Sequence, residues 1–279
     1  MNNVDSNITT IEAGKLEKAY WLDLWKYREL FFFLAWKDVL VRYKQTMIGI
    51  TWALIRPVLT MIVFTLVFGK LANLPSDNVP YPILVFAGLL PWQFFSTAFA
   101  EAGNSLISNA NMISKIYFPR MIIPVSAIIV TLVDFLISFF ILVILMFWYG
   151  YQPSLHILLL PLFILMSILA ALGAGLWIAA LNVEYRDFRF IIPFILQFGL
   201  YISPIGFSSS IIPEKWKLLY SINPMVGIID GFRWAILGHH ATSKIYLPGL
   251  YLSLSLILLI LITGIRFFRN TERSFADVI

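Results

Sequence analysis

The stretch MIIPVSAIIVTLVDFLISFFILVILMFWY, residues 121–149, decides the fold of this chain. It contains one charged residue, Asp134, among apolar or weakly polar side chains. An α-helix rises about 1.5 Å per residue, so about 20 residues cross the roughly 30 Å of a bilayer's hydrocarbon core. The stretch is long enough and apolar enough for this, and it therefore predicts a membrane-spanning helix.

The composition of the whole chain indicates the same class of protein. Of 279 residues, 60% are hydrophobic and 13% are charged, whereas about a quarter are charged in a typical soluble domain. The first thirty residues are polar and lack the apolar core and cleavage site of a secretory leader. We therefore predict an all-α integral membrane protein with a cytoplasmic N-terminus. Zero cysteines exclude disulfides, thiolate metal sites and cysteine nucleophiles.

Six membrane-spanning segments can be recognised, and their even number predicts that both termini lie on one side. The predicted segments are 47–71, 81–106, 121–149, 155–181, 190–207 and 245–268. Most of the 20 Lys and Arg residues then fall on connections assigned to the cytoplasm, as the positive-inside rule requires. The exceptions are Lys70, Lys215, Lys217, Arg233 and Lys244. The net charge of +5 therefore indicates membrane orientation, and no nucleic acid partner is expected.

Residues 208–244 do not fit a plain six-helix bundle. They lie outside by parity, yet they contain INPMVGIIDGFRWAILG, which is apolar but too short and too broken to cross alone. Asn223 before Pro224 suits a helix N-cap and first turn, and PEKWKLLY opens a second short helix. We predict two short re-entrant helices within 213–237. A hairpin lying on the membrane surface is the alternative.

The N-terminal part is predicted to form a surface helix before the first span. Domain boundaries are placed at 1–27 for a cytoplasmic segment, 28–46 for an amphipathic interface helix, 47–268 for the six-span domain and 269–279 for a cytoplasmic tail. On the interface helix, one side carries Trp36, Val39, Leu40 and Tyr43, and the other carries Lys37, Asp38, Arg42 and Lys44. Asp38 and Arg42 are four residues apart and could form an ion pair.

Arg56 differs from the other N-terminal charges because it lies about 14 Å inside the first predicted span. A charge at that depth costs at least a few kcal/mol unless it snorkels, pairs or faces water. Two interpretations stay open: Arg56 snorkels to the inner headgroups, or it binds an anionic lipid headgroup.

Catalytic arrangements are sparse in this sequence. Glu101 and Asp134 are the acids nearest the membrane interior, and neither has an obvious second carboxylate nearby. Glu101 could be solvated near the inner end of its segment, and Asp134 could pair with a neighbour on its own helix. No phosphate-binding loop of the type GxxxxGK[ST] is present, so any ATP must be bound by another chain. Ala171, Gly175 and Ala179 share one helical face, which predicts close helix packing.

Five blocks of sequence, in order, resemble the permease subunit of bacterial type-2 ABC exporters that move polysaccharides. The blocks are RYKQTMIGITWALIRP (42–57), PYPILVFAGLLPWQFFSTAF (80–99), NANMISKIYFPRMIIPVS (109–126), LNVEYRDFRFIIPFILQFGLYISPIGF (181–207) and NPMVGIIDGFRWAILG (223–238). The resemblance implies a homodimer in the bacterial inner membrane, bound to two ATPase subunits that hold ATP and Mg²⁺. Its implied cargo is a polysaccharide on a polyprenyl diphosphate lipid, with O-antigen favoured over capsule or teichoic acid. This chain would then carry no cofactor or metal and would not itself be an enzyme.

The resemblance also implies roles for particular residues. The family's interface helix matches residues 28–44, and its coupling helix matches 104–119. The residues expected to contact the ATPase are Arg28, Lys37, Arg42, Lys44, Ser105, Asn109 and Lys115. Sugars pack well on aromatic rings, so the candidates for lining a glycan path are Trp92, Phe94, Phe95, Phe99, Tyr201, Phe207, Trp216, Tyr220 and Trp234. An ordinary interfacial aromatic belt is the alternative explanation for these rings.

Two other functions stay open. A membrane glycosyltransferase or polymerase would need a catalytic acid or base, for which Asp134, Glu101 and Asp230 are the candidates. An exporter of drugs or simple lipids would share the architecture but not the glycan-type motifs.

Overall fold

Every regular element that the structure describes is a helix, which confirms the all-α class. The computed structural model describes residues 20–44, 50–152, 155–185, 187–238 and 245–275. The long helices are α3 (Ile50–Phe64, continued by a π-helix at Thr65–Leu71), α4 (Tyr81–Ser108), α6 (Ile122–Trp148), α7 (Leu160–Glu184) and α11 (Leu247–Thr271). The shorter ones are α1 (Tyr20–Lys26), α2 (Arg28–Lys44), α5 (Ala110–Ile113), α8 (Phe188–Ile202), α9 (Glu214–Tyr220) and α10 (Pro224–Leu237).

Within the described residues, five helical stretches are long and apolar enough to span a membrane. They are Leu54–Leu71, Tyr81–Ser108, Ile122–Trp148, Leu155–Glu184 and Leu247–Ser274, and they match five of the six predicted spans. The remaining prediction, 190–207, coincides with α8, a helix of 15 residues. Helix α8 ends early because Ser203 precedes Pro204, and a residue before proline favours the extended backbone that Ser203 adopts.

Helix α4 forms the centre of the bundle. In its most apolar window 72% of residues are buried, against 11% in Leu54–Leu71 and 17% in Leu247–Ser274. It contacts α3, α6, α7, α8 and α10. The predicted small-residue face of α7 packs here: Ala171, Gly175 and Ala179 are all buried, and a Cβ on Gly175 would lie 2.8 Å from the Ala102 Cβ. The packing role predicted for this face is confirmed.

The opposite side of α7 lies against α11 at backbone distance. A Cβ added to Gly173 would lie 2.7 Å from both the N and the Cα of Leu261. A Cβ on Gly264 would lie 2.4 Å from the Gly173 carbonyl oxygen. Small residues allow such close approach of helices in lipid, so α7 is held between α4 and α11.

Helices α9 and α10 occupy the region for which two short helices are predicted. The Asn223 side chain caps α10 by accepting a hydrogen bond from the Met225 backbone N–H at 3.0 Å, as the sequence predicts. Most of α10 is buried, and it contacts α4, α7 and α11. Helix α10 is therefore packed inside the helix bundle, and its depth in the membrane stays a prediction. Helix α9 has no buried residue.

The start of α1 and the end of α11 meet in one cluster. The Tyr20 hydroxyl donates to Glu272 Oε2 at 2.9 Å, and the Arg120 backbone N–H donates to Glu272 Oε1 at 2.7 Å. The Arg120 guanidinium also donates to the Glu272 carbonyl, and Phe275 is fully buried against Phe268. This terminal cluster joins α1, the connection before α6 and the turn after α11.

Candidate functional site

A cavity of about 810 Å³ lies between α3, α4, α6 and α8, beside the C-terminal end of α2. Four charged side chains line it, namely Arg42, Arg56, Glu101 and Asp134. Its uncharged polar lining consists of Tyr43, Thr60, Gln93, Ser96, Thr97, Thr131, Ser138 and Gln197. Hydroxyl and amide groups can donate and accept hydrogen bonds. The rest of the lining is apolar and includes Leu89, Leu90 and Leu200, so the cavity offers charged and hydrogen-bonding groups beside an apolar surface.

Arg42 connects α2 to two of the helices around this cavity. Its Nη1 donates to Asp134 Oδ2 on α6 at 2.6 Å, and its Nη2 donates to Glu101 Oε1 on α4. Tyr43 donates its hydroxyl proton to the other oxygen of Asp134, Oδ1. We call Arg42, Tyr43, Glu101 and Asp134 the Arg42 cluster. Burial and this hydrogen bond both raise the pKa of Tyr43, which keeps the phenol protonated as a donor.

The Arg42 cluster corrects two expectations about pairing and extends a third. Asp38 forms an ion pair with the adjacent Lys37 at 3.0 Å. Asp38 and Arg42, both described by the structure, form no ion pair with each other. Asp134 pairs with α2, 92 positions away along the chain, instead of with a neighbour on its own helix. Glu101 is 45% exposed, yet it is paired as well as solvated. One arginine thus serves two carboxylates, so neither resembles an unpaired catalytic acid.

Arg56 lies on the same cavity, one residue before the buried Pro57. Its side chain is exposed, and among the described residues it forms no ion pair. A guanidinium has five N–H donors in a planar fork that matches carboxylate or phosphate oxygens. Arg56 is therefore the cation of this cavity that can accept an anion without releasing a protein carboxylate.

A family comparison covers the helices that line the cavity. The model of the family described as "ABC-2 type transporter" matches residues 29–237, from the start of α2 to the end of α10. The chain belongs to the ABC-2 type transporter family. The match includes every helix that lines the cavity, and it agrees with the predicted resemblance. Members of this family are membrane-embedded transport permeases.

Several curated relatives of this ABC-2 permease are similar over most of their length. An "O-antigen export system permease protein RfbA" from Myxococcus xanthus is 27% identical, with 92% of this chain and 98% of that protein aligned. A Klebsiella pneumoniae protein of the same name is 28% identical over 87% of this chain and 92% of its own. The "Polysialic acid transport protein KpsM" of Escherichia coli is 22% identical over 85% and 92% respectively.

The predicted ATPase-contact residues of this ABC-2 permease differ in exposure. Arg28, Lys44 and Lys115 are exposed, and Lys37, Arg42 and Asn109 are partly buried. Ser105 is buried, and its hydroxyl donates to the Ala102 carbonyl at 2.7 Å. Its hydroxyl thus bonds within α4, and its contact with an ATPase stays a prediction. The predicted coupling segment, 104–119, contains the end of α4, a break at Asn109 and the single turn α5.

The aromatic candidates for the glycan path do not form one surface. Trp92 and Phe94 line the cavity. Phe95 and Phe99 stack with ring centroids 5.9 Å apart beside α7 and α8. The other candidates lie elsewhere, from exposed to half-buried: Tyr201, Phe207, Trp216, Tyr220 and Trp234. The structure therefore associates two of the nine aromatic residues with the cavity.

One buried charge of this ABC-2 permease was not recognised from sequence. Arg233 on α10, counted with the outer charges, is only 6% exposed. It donates to the carbonyls of Leu84, Ile205 and Phe207 at 3.1, 2.7 and 2.8 Å. An arginine inside an apolar run that is too short to cross the membrane was the available signal, because such a charge requires partners.

Proposed function

We propose that this chain is the membrane permease of an ATP-driven exporter that moves a polysaccharide linked to polyprenyl diphosphate from the cytoplasmic side across the inner membrane. O-antigen is the favoured cargo, and capsule or teichoic acid polymers are the alternatives within the family. Support comes from the O-antigen export permeases, which align with 87–92% of the chain. The observation that carries the lipid diphosphate is the cavity, where Arg56 and Arg42 stand among hydroxyl and amide groups.

The proposed assembly contains two copies of this chain and two ATPase subunits that bind ATP and Mg²⁺. Membership of the ABC-2 family implies an ATP-binding cassette partner. The exposed cations Arg28, Lys44 and Lys115 are the strongest candidates for contacting it, because an exposed charge can reach a partner surface without a change in the bundle.

Six crossings with both ends in the cytoplasm are part of the proposal. Five crossings alone would place the two ends of the chain on opposite sides of the membrane. Tyr20 and Glu272 are hydrogen-bonded, so these two residues must lie on the same side. Helix α8 supplies the sixth crossing. Its 15 residues extend about 22 Å, and the irregular segment after Ile202, held by Arg233, completes the passage. The surplus of Lys and Arg assigned to the inner side supports the orientation.

With this orientation, the cavity opens close to the inner headgroups. Helix α4 has 28 residues and is about 42 Å long, which exceeds the hydrocarbon core by about 12 Å. Glu101 lies in the last two turns of α4, at the inner end. A lipid diphosphate in the cytoplasmic leaflet would therefore reach the cavity at the depth of its own headgroup.

Deleting the gene in its host tests the function. We expect surface polymer to fall to near background while lipid-linked polymer accumulates inside, because synthesis continues without export. Polymer should be measured with a specific antibody on intact and on lysed cells, and a plasmid copy of the gene should restore the surface signal. Unchanged surface polymer would refute the proposal. Loss of polymer both inside and outside would instead favour the glycosyltransferase or polymerase hypothesis.

Replacing Arg56 with alanine tests the headgroup contact. We expect export to fall about tenfold or more, because a hydrogen bond to a charged group contributes about 1.5–3 kcal/mol. Binding of the ATPase subunit, measured by co-purification, should be unchanged. Arg56→Lys keeps the charge without the fork and should retain part of the export. Equal loss of export and of ATPase binding in Arg56→Ala would show that Arg56 is structural.

A further inference from the structure

The Arg42 cluster joins a helix outside the bundle to the cargo cavity, and this arrangement has a functional consequence. Helix α2 packs along α6, where Leu34 shares a buried cluster with Ile122 and Ile123. Its last turn reaches the cavity, where Arg42 holds one carboxylate on α4 and one on α6. The position of α2 is therefore linked to whatever occupies the cavity.

The two carboxylates that hold Arg42 are not equivalent. Asp134 is 28% exposed and also accepts the Tyr43 hydroxyl, so both of its oxygens have donors on α2. Glu101 is 45% exposed, and Arg42 is its ion-pair partner. Releasing a more solvated carboxylate costs less, since water replaces the lost hydrogen bond. Arg42 would thus lose Glu101 before it loses Asp134.

An arriving phosphate group would compete with Glu101 for Arg42. Arg56 attracts the anion to the cavity, but Arg42 is already shared by two carboxylates. A diphosphate carries more negative charge than one carboxylate and accepts the same bidentate hydrogen bonds from a guanidinium. It can therefore take the Arg42 donor that Glu101 uses, while Asp134 and Tyr43 keep the end of α2 attached to α6.

We infer that the Arg42 cluster is a cargo-sensitive latch: a lipid diphosphate in the cavity displaces Glu101 from Arg42, which frees α2 from α4 and reports the loaded state to the ATPase. The latch rests on the proposed function, because it requires an anionic headgroup and an ATPase that contacts α2. It assigns different roles to the two arginines. Arg56 binds the headgroup, whereas Arg42 exchanges partners.

Competition between Glu101 and the diphosphate leads to a prediction that a purely structural role of Glu101 does not. If Glu101 and the diphosphate compete for Arg42, removing the charge of Glu101 must tighten binding. For Glu101→Gln in the purified permease–ATPase complex, we expect undecaprenyl diphosphate to bind about five- to tenfold more tightly, which is the lower range of typical coupling between ligands. ATP hydrolysis without cargo should rise toward the cargo-stimulated rate of the wild type.

The controls separate the latch from the proposed function. Glu101→Asp keeps the charge and should restore wild-type binding and stimulation, and Asp38→Asn removes a paired carboxylate of α2 that does not line the cavity. Binding is measured by native mass spectrometry, with undecaprenol as the phosphate-free control. Unchanged or weaker diphosphate binding in Glu101→Gln, or equal tightening for undecaprenol, would overturn the latch alone. If wild-type complex fails to bind undecaprenyl diphosphate, the proposed headgroup site fails as well.

Discussion

Replacing Arg233 with methionine is expected to remove most of the correctly folded protein from the membrane. Methionine fills a similar apolar volume but donates no hydrogen bond, so the carbonyls of Leu84, Ile205 and Phe207 lose a buried partner. Leu84 lies within α4 and keeps its helical hydrogen bond. The carbonyls of Ile205 and Phe207 lie in irregular backbone, and losing the donor costs about 1–3 kcal/mol for each, because the bilayer core supplies no water to replace it. Asp230, which is attracted to Arg233, would also lose its counter-charge.

The measurement compares membrane-fraction yield and the thermal midpoint in detergent. Arg233→Lys should be intermediate, because an ammonium keeps the charge but cannot match the fork of a guanidinium toward three carbonyls. Lys215→Met removes an exposed cation from the neighbouring helix α9 and should behave like wild type. The structural role of Arg233 is contradicted if Arg233→Met and Lys215→Met give the same yield and midpoint.

Replacing Gly173 with valine is expected to separate α7 from α11 and to destabilise the bundle by about 3 kcal/mol or more, at or above the usual cost of overpacking. The new Cβ would lie 2.7 Å from backbone atoms of Leu261, which cannot move aside as the end of a flexible side chain can. Valine also adds two methyl groups at the closest approach of the helices. The expected result is early loss of the monodisperse peak when samples are heated before size-exclusion chromatography.

A matched variant places the same residue elsewhere on α7. Leu162 is 51% exposed on that helix, so Leu162→Val introduces valine without forcing two backbones apart. It should shift the midpoint little. Wild-type stability of Gly173→Val would show that α7 and α11 can separate at little cost, against the geometry of Gly173 and Gly264.

The features that the sequence predicts well depend on local patterns. Hydrophobic length identifies five of the spans, and Asn223 with Pro224 identifies the start of α10. The spacing of Ala171, Gly175 and Ala179 identifies a packing face, because small residues repeated every four positions align on one side of a helix. In each case the decisive residues are close together along the chain.

The features that the sequence does not predict depend on contacts between distant residues. Arg42 contacts Glu101 and Asp134, which lie 59 and 92 positions away along the chain. A single sequence does not show which of its distant residues come into contact. The local rule instead favoured Asp38, at the correct spacing on the same helix. Arg233 is counted with the outer charges on a predicted re-entrant helix. Its burial is not predicted, because its three carbonyl partners lie far away along the chain, on α4 and in the segment after α8.

The terminal cluster has a consequence for how the chain is made. Tyr20 is among the first described residues to leave the ribosome, but its partner Glu272 is synthesised 252 positions later. The hydrogen bonds through which Glu272 joins Tyr20 to Arg120 therefore cannot form until every span that precedes Glu272 has been synthesised. A chain that misses one crossing places Glu272 on the wrong side of the membrane, so this contact closes only on a correctly threaded permease.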